Sequence, residues 1–97
     1  MVLEKVDSKV ELEEICSKVQ ELLDKEHLYA GVYTFYGFED LLIVDIEWGD
    51  WKHDHGRADW LIEENFNLVR INCVVYDEDG SDCYSAKHYY RIKGYLD

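Results

Sequence analysis

Asp79-Gly80 constrains this chain more than any other pair of residues. Both tolerate the positive φ that a two-residue hairpin turn of the primed type demands, and alternating runs flank them on both sides. Counting outward from the turn pairs Val75 with Tyr84, Cys73 with Ala86, Ile71 with His88 and Val69 with Tyr90. That face is apolar or aromatic throughout. The other face pairs Tyr76 with Cys83, Val74 with Ser85, Asn72 with Lys87 and Arg70 with Tyr89. A slip of one residue turns every side chain over, so turn and pattern together specify a hairpin and its register. Cys73 and Cys83 fall on opposite faces of it, and no disulfide is expected between them.

The remaining elements follow from period and punctuation. Residues 8–26 place Leu12, Ile15, Cys16, Val19, Leu22 and Leu23 on one stripe of a helix. Ser8 and Glu11 open it as a capping box. Residues 27–36, rich in aromatic and β-branched side chains, predict a strand, and 37–40 a turn. Residues 41–48 predict a second strand, with Leu42, Val44, Ile46 and Trp48 on one face and Leu41, Ile43, Asp45 and Glu47 on the other. Gly49-Asp50 breaks it, and Asp50 is a good N-cap for a second helix over about 51–65. Gly56 is the weak point of that helix, and a start near Asp54 is the alternative.

The order helix, strand, strand, helix, strand, strand predicts an α+β fold over residues 1–97 taken as one domain. The expected packing is a two-layer sandwich: a four-stranded, mainly antiparallel sheet with both helices on one face. The helical crossover from the second strand to the third leaves room for one parallel pairing. Strand order is not specified by the pattern.

Charge and composition then exclude some functions. The longest aliphatic run, residues 41–44, is far short of the ~20 residues of a membrane helix. The first residues, MVLEKVDS, lack the apolar core of a secretory signal. Three cysteines isolated from one another fit a reduced, cytoplasmic protein. The net charge is −12, of which residues 28–66 carry −7. Such a field repels duplex nucleic acid and attracts basic partners.

Residues 48–60, WGDWKHDHGRADW, hold every tryptophan of the chain and two of its four histidines. His53, His55 and Asp59 are the candidate metal ligands, since an extended segment aims both histidines one way and a helix aligns His55 with Asp59. The competing reading packs His55 beside Trp51 and leaves Asp50 and Asp54 to cap and charge a helix N-terminus. Residues 77–82 only superficially suggest a calcium loop, because Val75 and Ala86 occupy its first and twelfth ligand positions. His88 falls on the inner face of the hairpin, away from Cys83 and Ser85, which argues against a nucleophilic dyad there. Arg70, Asn72, Lys87, Tyr89 and Arg91 on the outer face suit single-stranded nucleic acid, but Asp45 and Glu47 of a neighbouring strand are the simpler partners for these cations.

The function expected is therefore a small, non-enzymatic module that meets a basic protein surface, as an inhibitor or accessory protein does. Trp48, Trp51 and Trp60 would anchor the contact and Asp50, Asp54 and Asp59 steer it. A homodimer is the other partner the aromatic cluster would suit. No cofactor is expected, the alternative being a divalent transition metal or small ligand at His53, His55 and Asp59.

Overall fold

The computed structural model describes residues 8–38 and 40–93, with side chains from residue 11 onward. Its elements are α1 (Ser8–Lys25), β1 (Gly31–Tyr36), β2 (Asp40–Asp50), a π-helical turn (Trp51–Gly56), α2 (Arg57–Asn65), β3 (Leu68–Glu78) and β4 (Cys83–Ile92). This is the expected α+β fold. All neighbouring strands are antiparallel, in the order β1-β2-β4-β3, so the parallel pairing left open by the sequence does not occur. β4 lies between β2 and β3, and the connection through α2 passes over it.

Both helices lie on one face of the sheet, because the apolar stripes have a shared face to bury. Leu12, Val19 and Leu23 of α1 join Ala58, Leu61 and Ile62 of α2 over Leu42, Val44, Ile46, Leu68, Tyr90 and Ile92 of the sheet. The Ser8–Glu11 capping box rests on the Ser8 side chain, which lies outside the described residues. The other end of α1 is stopped by His27, at φ 59°. The amide of His27 donates to Asp24 O at 3.1 Å and that of Leu28 to Leu23 O at 2.8 Å, the two bonds of a Schellman cap. His27 therefore closes the helix and does not begin β1.

Gln20 ties α1 to the free edge of β1. Its amide donates to Ala30 O at 3.0 Å and accepts from Val32 N at 3.1 Å, as a neighbouring strand would. An edge with its backbone groups satisfied in this way is a poor template for another chain.

The hairpin of β3 and β4 departs from the counted register. Asp79 accepts hydrogen bonds from both the amide and the hydroxyl of Ser81, and Gly80 takes φ 83°. This side-chain turn lengthens the loop beyond two residues, so Glu78 pairs with Tyr84 and Val75 with Ala86. Bulges between Arg70 and Asn72 and between Val75 and Asp77 shift it again. Ala86, His88 and Tyr90 keep their expected place under the helices; Cys73 and Val75 lie on the same face by register, Val75 exposed. Val69 and Ile71 do not. Arg70 pairs with Tyr90 and so lies on the helix-covered face, a correction to its expected outer position. Cys73 and Cys83 are free thiols, as is Cys16.

A third bulge, in β2 between Ile46 and Gly49, sets Glu47 and Trp48 opposite the single residue Ser85. Trp48 takes φ 54° there and its amide donates to Ser85 Oγ at 3.0 Å. The bulge carries Trp48 away from the face of Leu42, Val44 and Ile46 on which strict alternation places it.

Candidate functional site

The turn after β2 positions the chemistry. Asp50 caps it as expected, its carboxylate accepting from the amides of Lys52 at 2.9 Å and His53 at 2.8 Å. Those bonds, led by the one from His53 N, hold the Asp50 carboxyl below the usual range, so it stays anionic. Asp54 Oδ2 in turn accepts from the Asp50 amide at 2.7 Å. The segment does not run as an α-helix from residue 51. It winds as a π-helix through Gly56 and only then continues as α2. Turns of this kind are rare and frequently sit at functional sites.

The π-turn rests on Gly49. A Cβ at that position would stand 2.8 Å from Ile46 Cγ2, 2.9 Å from Asp54 Cβ and 3.2 Å from His55 Nε2. Only a residue without one lets the turn fold back against the end of β2.

Packed this way, the turn delivers His55 into the protein beside His88, both 1% exposed. His55 Nε2 lies 2.8 Å from Tyr84 O, and His55 Nδ1 lies 2.8 Å from His88 Nε2. His88 Nδ1 lies 3.3 Å from Arg70 Nη1. A carbonyl can only accept and a guanidinium can only donate, which fixes the direction of the whole chain. His55 donates from Nε2 to Tyr84 O and accepts at Nδ1 from His88 Nε2–H. His88 accepts at Nδ1 from Arg70. Both imidazoles are thus neutral and of the Nε2–H tautomer. Burial, then the neighbouring His55 and Arg70, push the His88 pKa down to about 4.

Arg70 continues the network to α2. Its Nη1 is 3.8 Å from Asp59 Oδ2, and the Tyr90 hydroxyl donates to Asp59 Oδ1 at 2.9 Å. Burial and Asp59 together raise the Tyr90 phenol far above its ordinary range. No buried side-chain polar atom among the described residues lacks a partner.

Over the histidines lies Trp51, its ring centroid 5.3 Å from that of His55 and 6.3 Å from that of His88. Tyr84 meets it edge-on at 5.9 Å, an interplanar angle of 82°. Trp51 is nevertheless 44% exposed. Its outer side walls a cleft of about 490 Å³ shared with Asp50, Lys52, Val75, Asp82 and Tyr84.

The residues singled out in the sequence are divided by the fold. Asp50 and Trp51 meet at this cleft, with Asp54 bracing the backbone beneath. Asp59 is turned into the Arg70–Tyr90 network. Trp60 is 61% exposed on α2, and Trp48 is 48% exposed in a second depression with Tyr29, Tyr33, Asp45 and Glu47. His53, His55 and Asp59 are not brought together. The Nδ1 of His53 lies 3.1 Å from Asp50 on the surface, whereas His55 and Asp59 have the interior partners described. Among the described residues no group of three or more His, Cys, Asp or Glu is placed to hold a metal ion.

Tyr84, Val75 and Asp82 were not legible as site residues. They come from the far hairpin, and only the π-turn brings Trp51 to them. On the opposite face of the sheet, the Tyr76 hydroxyl donates to Asp45 Oδ1 at 2.7 Å, which pushes its pKa up to about 12. Lys87 Nζ stands 5.8 Å from the Tyr76 ring centroid. Arg70 thus lies on the opposite face from Lys87, so the two cations of the single-stranded nucleic-acid alternative do not share one surface.

No helix among the described residues is long and apolar enough to cross a membrane. Comparison with known protein families, curated proteins and solved structures finds no match for the chain.

Proposed function

We infer that this is a non-enzymatic protein-interaction module that binds a basic segment of a partner at the Trp51 cleft. The observation that carries the reading is that Trp51 is half-exposed yet held on three sides, by His55, His88 and Tyr84. An aromatic side chain fixed before binding loses little freedom on association, the property of an interface anchor. Asp50 and Asp82 stand at the same cleft, against the single cation Lys52. A lysine or arginine chain there lies along Trp51 and Tyr84 and brings its charge to the carboxylates. The chain's net charge of −12 steers cationic partners toward it and polyanions away.

Calorimetric titration tests the reading with three probes: a basic peptide, its acidic counterpart and a DNA duplex, each at low and high salt. The basic peptide is expected to bind saturably and more weakly as salt rises. Binding of the duplex in its place, or of neither, contradicts the proposal.

A further inference from the structure

The second depression is a separate site on the other face of the sheet. β1 and β2 pair Val32 with Val44 and Tyr33 with Ile43, so Tyr33 and Asp45 face away from the helices. Tyr29, Tyr33 and Trp48 line a hollow of about 410 Å³ together with Ala30, Gly31 and the carboxylate residues Asp45 and Glu47. All three rings are exposed. Two features mark the hollow as built. The backbone of Trp48 is held in the left-handed region, a strained conformation for a residue with a side chain, and it carries the indole out of the helix-covered layer. Glu47 beside it has no hydrogen bond or ion pair among the described residues.

The same face already shows the chemistry in miniature. Lys87 Nζ hydrogen-bonds the Tyr33 side chain and stands over the Tyr76 ring, with Asp45 near enough to favour its charge. Aromatic faces attract a cation through their quadrupole, and a carboxylate at the rim adds direct pairing. Of the two permanent side-chain cations, guanidinium and not ammonium is flat enough to stack on a ring while its fork donates to a carboxylate.

We propose that the Tyr29–Tyr33–Trp48 hollow receives an arginine side chain of a polypeptide partner, stacked on the rings and paired with Glu47. The site does not depend on the Trp51 cleft, which opens on the opposite face.

The test is a two-dimensional NMR titration that follows the three tryptophan indole N–H signals, with Trp48 and Trp51 assigned through Trp48→Phe and Trp51→Phe. The probes are a blocked Gly-Arg-Gly peptide, the same peptide with neutral citrulline, and Gly-Lys-Gly. A saturable shift of the Trp48 signal with the arginyl peptide is expected, with none for citrulline and a weaker response for lysine. Glu47→Gln should weaken the arginyl response by about two- to fivefold. That substitution lies on an exposed side chain and leaves the fold intact. No Trp48 shift, an equal shift with citrulline or lysine, or an unchanged affinity in Glu47→Gln overturns the assignment. A response confined to the Trp51 signal also overturns it and leaves the cleft reading standing.

Discussion

His55 and His88, 33 residues apart in sequence, share one hydrogen bond of 2.8 Å between Nδ1 and Nε2, and neither ring has a free nitrogen. His88 so placed stays neutral, because a second proton on its ring would face the Arg70 guanidinium. The pair therefore does structural work: it forms the floor under Trp51 and joins the π-turn to β4. Acid chemistry from it would need a nitrogen open to a substrate.

Stability should fall in acid through His88. His88 titrates near 4 in the folded protein, against 6.5 when unfolded. A lowered folded pKa means that the unfolded chain binds the proton more readily between those values. The contribution is complete above the unfolded pKa and is lost as pH falls toward the folded one. Between about pH 7.5 and about pH 5 the stability advantage of the wild type over His88→Gln should shrink by about 2 kcal/mol. Urea unfolding of both proteins at the two pH values measures it, and a constant difference contradicts the assignment.

Gly49→Ala should destabilise the protein by about 1–3 kcal/mol, since the new methyl group meets Ile46 and Asp54 with no flexible side-chain end to give way. Thermal unfolding checks this. A melting temperature equal to the wild type would show that the π-turn does not depend on close approach at Gly49.

Gln20→Ala removes the partner of two part-buried backbone groups and should lower stability by about 1–2 kcal/mol. The more telling readout is hydrogen exchange at Val32, whose amide loses its acceptor. Its exchange should quicken beyond what the change in global stability explains.

The sequence specified the layers of this fold better than its edges. Helical period and strand alternation placed Leu12, Val19, Leu23, Leu42, Val44, Ile46 and Tyr90 in the core because each lies in a regular element. Three bulges and a side-chain turn displaced what lay beside them. Ser81 bonding to Asp79 lengthened the hairpin loop, the step at Arg70 turned that side chain under α2, and Trp48 left its alternation in β2. Part of the site was legible: Asp50 as a cap, His55 beside Trp51, and His88 on the inner face of the hairpin. That His88 pairs with His55 was not, because no local pattern announces a π-turn and the two residues meet only through the tertiary fold.

Affinity for a basic peptide, compared among the wild type, Trp51→Ala and His88→Gln near neutral pH, tests the central claim most directly. Trp51→Ala removes the anchor and should weaken binding by roughly tenfold or more, with a loss of stability of about 1 kcal/mol. His88→Gln leaves the indole in place but loosens the floor beneath it, and should weaken binding several-fold while the protein stays folded by circular dichroism. Wild-type affinity in Trp51→Ala would contradict the account, because the basic partner would then be meeting some other part of this surface.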